Sequence, residues 1–203
     1  MTDSSALDLV HASPAQVRAA LLDLICTAAY KEGDFVLSSG QQSAYYINGK
    51  QVTLHAQGAL MTGRVLLAML PEHTVGVGGL TLGADPIVTA VSVVGAYAGR
   101  WVTPLIVRKQ AKGHGTQAYI EGPALPEGSP VVVLEDVVTT GQSALQAIER
   151  LRSAGYRVEQ VISLVDRQQG GAELYAQAGL EFEAVYQITQ IQARWRELQS
   201  SAE

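Results

Sequence analysis

The stretch Val131-Val-Val-Leu-Glu-Asp-Val-Val-Thr-Thr-Gly-Gln-Ser143 sets the architecture of this chain. Its opening run of aliphatic residues, with no polar alternation, describes a strand covered on both faces, as in a parallel sheet flanked by helices. The run ends in two acids, Glu135 and Asp136, and a short turn of hydroxyl residues and Gly141 opens into a helix from Gln142. In an open parallel sheet, ligands bind just beyond the carboxyl ends of the strands. A helix N-terminus at that place offers unpaired N–H groups and partial positive charge. Thr139, Thr140 and Ser143 add hydroxyl donors, a combination suited to a phosphate monoester. The acids cannot hold phosphate, but they can accept hydrogen bonds from a sugar diol beside it. The blander reading, a capped helix preceded by solvated acids, leaves unexplained why acids should finish a fully apolar run.

Strand and helix alternate on either side of this segment. A first helix begins at Ser13-Pro14, a capping residue followed by proline at the first helical position, and Gly33 is its expected stop. Two extended runs, Phe35–Leu37 and Ala44–Ile47, flank the turn cluster Ser38-Ser39-Gly40. Helices are predicted over Ala56–Leu70, Asp85–Tyr97, Gln142–Ala154, Gly171–Ala178 and Ile188–Leu198. Strands are predicted over Val75–Val77, Val102–Val107, Val131–Leu134, Val161–Val165 and Phe182–Tyr186, with a polar, glycine-bearing segment over Lys109–Gly128. The pattern predicts an α/β fold, a mainly parallel sheet flanked by helices on both faces. With no repeat, low-complexity tract or linker, residues 1–203 read as a single domain, the first 50 or so forming a small N-terminal hood.

Composition removes several classes. At 203 residues, 47% apolar and 16% charged, the chain can bury a real core and is not disordered. Its 14 basic and 19 acidic residues leave a net charge of −5, which argues against nucleic acid as a partner. The lone Cys26 cannot form an internal disulfide and favours a reducing compartment. The N-terminus lacks a signal-peptide pattern. The longest apolar stretch, Thr74–Gly99, is broken by glycines and Asp85-Pro86, so the expectation is a cytoplasmic protein that does not engage the membrane. A nucleotide-hydrolase P-loop motif is missing, and Gly113-x-Gly115-x-x-Ala118 matches a dinucleotide fingerprint only formally, in a charged loop with no helix after it. The four histidines are scattered, so no metal-ligand cluster is expected.

The two acids, two aliphatics, Thr-x-Gly and a hydroxyl residue resemble the phosphoribosyl-pyrophosphate (PRPP) motif of type I phosphoribosyltransferases. Three further segments extend the resemblance to the orotate phosphoribosyltransferase family over nearly the whole chain. They are Phe35-Val-Leu-Ser-Ser-Gly40 with Ser43-Ala-Tyr-Tyr-Ile47, then Arg108-Lys-Gln-Ala-Lys-Gly-His-Gly115, then Asp166-Arg-Gln-Gln-Gly170. Alone, each has an ordinary explanation: a strand with tyrosines, a solvated charge run, a strand-end arginine.

The resemblance implies a type I phosphoribosyltransferase fold and transfer of 5-phosphoribosyl from PRPP to orotate, giving orotidine 5′-monophosphate and pyrophosphate in pyrimidine nucleotide synthesis. It implies Mg²⁺, bound mainly through PRPP and with no protein metal ligands. It places Glu135, Asp136, Val137, Val138, Thr139, Thr140, Gly141, Gln142 and Ser143 around the phosphoribosyl group. Arg108, Lys109, Lys112 and His114 become PRPP and pyrophosphate contacts. Lys112, His114 and Asp136 are the residues expected nearest the chemistry. Tyr45 and Tyr46 cover orotate, Arg167 pairs with its carboxylate, and Thr139 is a second orotate contact. The Arg108–Gly115 loop serves the neighbouring subunit's site, which implies a homodimer with shared active sites.

Lysines that some family members carry are replaced by Ser38 and by Leu82 within Gly78-Gly-Leu-Thr-Leu-Gly-Ala-Asp-Pro86. The backbone N–H groups of Gly78–Gly83 are the expected compensation, as a nest for pyrophosphate. Two rivals share the PRPP motif. A purine phosphoribosyltransferase leaves Arg167 and the Arg108–His114 run unexplained, and a nucleic-acid-binding PRPP sensor needs a basic face or an added domain.

Overall fold

The computed structural model describes residues 8–36, 42–111 and 119–201. Helix α1 (Pro14–Leu24) starts in a reciprocal cap: Gln16 N–H donates to Ser13 Oγ at 3.3 Å, and Ser13 N–H donates to Gln16 Oε1 at 2.9 Å. It runs into a π-helical turn, Ile25–Ala29, and the chain then enters strand β1 (Tyr30–Val36). Gly33 therefore does not stop the helix. It lies inside β1, where the register against β2 (Gln42–Ile47) slips between Glu32 and Phe35. β1 and β2 pair antiparallel in a two-stranded sheet, called the hood below, and the Ser38–Gly40 turn lies outside the described residues.

A one-turn helix α2 (Lys50–Thr53), not expected from the sequence, leads into α3 (Ala56–Met69). Then follow β3 (Gly76–Leu80), α4 (Asp85–Tyr97), β4 (Thr103–Val107), β5 (Ile120–Glu121) and β6 (Val131–Val138). The chain finishes with α5 (Gln142–Ser153), β7 (Gln160–Asp166), α6 (Gly171–Gln177), β8 (Glu181–Gln187) and α7 (Ile188–Ser200). The main sheet has the order β5-β4-β3-β6-β7-β8. Its strands pair in parallel except for β5, a short antiparallel edge hidden in the segment read as a polar loop.

The unbroken aliphatic run of β6 is explained by side-chain alternation. Val132 and Leu134 enter the core shared with α1, α3 and α4, while Val131 and Val133 enter the core shared with α5 and α6. β6 also runs further than its apolar opening suggests. Val137 pairs with Val165 and Val138 with Asp166, so Glu135 and Asp136 lie within the strand rather than after it.

The glycine pair Gly78-Gly79 occupies central strand β3, buried between β4 and β6. Thr81 N–H donates to the Val107 carbonyl at 2.9 Å. The expected pyrophosphate nest over Gly78–Gly83 is thus not formed as such, because Gly78 and Gly79 sit in the paired sheet. Only the short turn from Thr81 to Ala84 leaves it. No helix among the described residues is long and apolar enough to cross a membrane.

Candidate active site

The carboxyl ends of β3, β6 and β7 open on one side of the sheet, beneath the hood. At their centre Glu135 and Asp136 are each only 7% exposed. Asp136 Oδ1 accepts from the Val137 amide at 2.9 Å, while Glu135 Oε2 is buried without a partner. Burial, and then the neighbouring Asp136 charge, hold the Glu135 carboxyl well above the usual carboxylate range. Two glycines make room for the acids. A Cβ on Gly83 would stand 2.6 Å from Asp136 Oδ1, and one on Gly49 would stand 3.1 Å from Asp136 Oδ2.

The turn after β6 forms a small cavity of about 90 Å³ lined by Val138–Ser143, with Glu135 and Tyr175 at its base. Gly141, at φ 84°, is the hinge between strand and helix; a side chain there would also collide with the Tyr175 ring at 2.9 Å. The first amides of α5 face this cavity with no intrahelical acceptor, as at every helix start. Tyr175 is fully buried, and its hydroxyl has no partner. Burial, then the charges of Glu135 and Asp166, push the hydroxyl's pKa up.

The third part of the site joins β7 to the hood. Arg167, 7% exposed, follows β7 directly, and its backbone N–H donates to the Val138 carbonyl at 2.9 Å, which sets it beside Thr139. Its Nε donates to the Tyr45 hydroxyl at 3.1 Å, and an Nη donates to Ser43 Oγ at 3.4 Å. The guanidinium lies 4.7 Å from the Tyr45 ring centroid. Among the described residues no carboxylate pairs with it. Tyr45 in turn stacks on Tyr30 at 5.9 Å, and Tyr30 meets Trp195 of α7 edge-on at 5.8 Å. Strand alternation sends Tyr46 to the opposite side, against Phe35 at 5.6 Å, so the hood brings Tyr45 and not Tyr46 to Arg167.

The basic run starts at the end of β4. Arg108 pairs with Glu121 of β5 at 2.9 Å, and Lys109 is exposed nearby. Lys112 and His114 lie outside the described residues. Arg150 of α5, not singled out by the sequence, donates to the carbonyls of Arg108 and Lys109, the latter at 3.0 Å. It also lies 4.3 Å from the Tyr119 ring centroid. It therefore ties both flanks of the basic segment to the helix that begins at the phosphate-type turn.

Sequence reasoning also missed Lys50, whose Nζ stands 3.7 Å from Asp136 Oδ2. Lys50, Leu82 and Asp85 line one wall of a cleft of about 760 Å³ that continues as an apolar face through Leu54, Pro86 and Val93. Thr81 Oγ1 donates to Asp85 Oδ2 at 2.7 Å, which fixes the turn carrying Leu82. Among the described residues no group of three His, Cys, Asp or Glu side chains is placed to hold a metal ion.

A recessed acid pair, the turn into α5 and a buried arginine under an aromatic hood meet at one sheet end, an arrangement with the chemistry to grip a phosphorylated sugar beside a planar acid. No protein-family model matches the chain. It is 71% identical to an orotate phosphoribosyltransferase from Nostoc sp. over 182 residues, covering 90% of this chain and 88% of the relative. It is 63% identical to that of Synechocystis sp. over 197 residues, covering 97% of this chain and all of the relative. Among solved structures, Mycobacterium tuberculosis orotate phosphoribosyltransferase superposes with a TM-score of 0.76 at 38% identity, covering 86% of this chain and 98% of that one. The same mycobacterial enzyme in complex with PRPP gives 0.71 at 34% identity over the same shares. An adenine phosphoribosyltransferase from Leishmania tarentolae, 11% identical with a TM-score of 0.57, shares the fold alone. With relatives this similar over most of its length, the chain belongs to the orotate phosphoribosyltransferase family.

Proposed function

We propose that the cleft between the β6 terminus and the hood is where orotate takes the 5-phosphoribosyl group from PRPP, releasing orotidine 5′-monophosphate and pyrophosphate. The observation that carries this reading is the meeting of Glu135–Asp136, the Thr139–Ser143 turn and Arg167 under Tyr45 at one sheet end. The carboxylates of Glu135 and Asp136 accept hydrogen bonds from the ribose hydroxyls. The amides of Val137–Ser143, with the hydroxyls of Thr139, Thr140 and Ser143, hold the 5′-phosphate. Arg167 turns its planar fork to the orotate carboxylate, helped by Thr139, while Tyr45 covers the ring and Tyr46 belongs to the outer hood. Arg108, Lys109, Lys112 and His114 gather round the diphosphate.

Loss of diphosphate leaves positive charge on the ribose C1 and ring oxygen. The chain's task is to hold orotate N1 against C1 and to balance the negative charge growing on the leaving group. Mg²⁺ takes oxygen ligands, keeps several waters and favours substrate phosphates, so PRPP brings most of its coordination. The acid pair, with its unpartnered Glu135 Oε2, is of the right chemistry to meet the ion's waters. When bound, the ion neutralises part of the diphosphate charge.

The active unit is a homodimer with shared sites. What supports this is the apolar face of the large cleft, where Leu54 and Leu82 are each 70% exposed beside the acid pair. The buried, unpaired Cys26 suits a reducing cytoplasm.

The test supplies PRPP and Mg²⁺ with orotate or a purine base and follows the ultraviolet spectrum; orotate alone is consumed. Mixing inactive Lys112→Ala with inactive Asp136→Asn protein restores about a quarter of the wild-type rate when protomers exchange at random. Turnover of a purine, or no recovery on mixing, refutes the respective half of this reading.

A further inference from the structure

We infer that Lys50 is a substrate-binding residue whose ammonium receives the diphosphate of PRPP; this rests on the site reading above and adds a residue to it. Lys50 is the first residue of α2, directly after Gly49, which packs so closely on Asp136 that a Cβ there would stand 3.1 Å from both Cβ and Oδ2 of the acid. That approach brings the lysine to the acid pair from α2, outside the cavity of the Thr139–Ser143 turn. The Nζ–Oδ2 distance of 3.7 Å is a charge contact rather than a made hydrogen bond, and the lysine side chain keeps 46% of its surface. A flexible four-carbon stem held this loosely can give up Asp136 when ribose hydroxyls occupy that carboxylate.

Charge balance at the sheet end calls for such a group. Glu135 and Asp136 already place two acid groups in a recess, and a diphosphate adds further negative charge beside Asp136. Of the described cations nearby, Arg108 is paired with Glu121, Arg167 is engaged by Tyr45 and Ser43, and the exposed Lys109, whose charge reaches Glu135, follows β4 and does not line the wall that α2 forms. The turn from Thr81 to Ala84, on the same wall as Lys50, contributes a 70%-exposed Leu82 and no cation. Lys50 therefore supplies from α2 the positive charge that this wall of the cleft lacks.

The test compares Lys50→Met, which keeps the stem, with Lys50→Arg in steady-state kinetics and in direct binding of inorganic pyrophosphate. Lys50→Met raises the KM for PRPP and the Kd for pyrophosphate about tenfold to a hundredfold, leaves the KM for orotate unchanged, and is largely rescued by Lys50→Arg. A pair this exposed adds little stability, so the melting temperature and the oligomeric state stay those of the wild type. Wild-type pyrophosphate affinity in Lys50→Met overturns the inference. So does equal damage in Lys50→Arg, or a loss traced to a changed oligomeric state. Asp136→Asn in the same assay separates the two levels: if it loses PRPP while Lys50→Met keeps it, only Lys50 is misassigned. If neither loses PRPP, the site reading falls and this inference with it.

Discussion

The two ends of the cleft differ in how they wait for substrate. At the sugar-phosphate end, polar groups are buried without partners: Glu135 Oε2, the Tyr175 hydroxyl and Asp85 Oδ1. At the base end, Arg167 is already occupied by the Tyr45 hydroxyl, Ser43 Oγ and the Tyr45 ring. A buried polar group without a partner is costly to the empty protein, and a ligand that supplies the partner removes that cost. On the proposed site reading, PRPP gains from contacts the protein has left unmade, whereas orotate gains only the difference between its own contacts and those it displaces. On that reading, one end suits tight capture of a donor and the other suits exchange.

The sharpest way to break this contrast is Arg167→Ala. Losing a buried, charge-assisted fork raises the KM for orotate about a hundredfold while the KM for PRPP stays within a few-fold, measured by initial rates with each substrate varied. Equal losses for both substrates would erase the distinction between the ends. Glu135→Gln probes the other end: PRPP binds about tenfold more weakly, yet at pH above the raised Glu135 value the empty protein melts at a higher temperature because a buried charge beside Asp136 is gone. The pH dependence follows in sign. The Glu135 carboxyl is held above its unfolded value, so the folded state binds more protons in that window. Wild-type stability then falls as pH rises from the ordinary carboxylate range through the raised value. Melting curves across that range should slope less for Glu135→Gln. The smallest effect is expected from Tyr175→Phe. Removing an unpartnered hydroxyl raises the empty protein's melting temperature by about 2 °C or less, while the stabilisation gained on adding PRPP shrinks. A destabilised empty protein would mean the hydroxyl is satisfied after all.

Much of this was readable from the sequence where local pattern and tertiary role coincide. The Val131–Leu134 run, the Gly141 turn and the start of α5 each carry their own signal, and helix α4 begins and ends where its residues predict. Legibility failed where a neighbour in space decides the matter. β6 passes through its two acids because β7 pairs with Val137 and Val138, which no run of hydrophobicity marks. Gly78 and Gly79, read as a loop, are small because a central strand there is crowded from both sides; a Cβ on Gly79 would stand 2.3 Å from the Ala84 Cβ. Tyr45 and Tyr46 are adjacent in sequence, and the two-residue period of a strand already implied that they part company. Lys50 and Arg150 had no local signal, since each acts on residues far along the chain. The tail after Ile191, mute in the sequence, turns out to bear Trp195 against Tyr30 and Arg194 against Asp23 at 2.6 Å.

That last contact has a consequence for how the enzyme comes into being. The ladder Trp195–Tyr30–Tyr45–Arg167 joins the end of the chain to its beginning and then to the acceptor side of the cleft. During synthesis, every strand of the donor side has been made before α7 leaves the ribosome. A nascent chain can thus shape the turn after β6 before α7 braces Tyr30 and Tyr45 beside Arg167. On the proposed site reading, the acceptor side is braced later in synthesis than the part that holds the activated sugar.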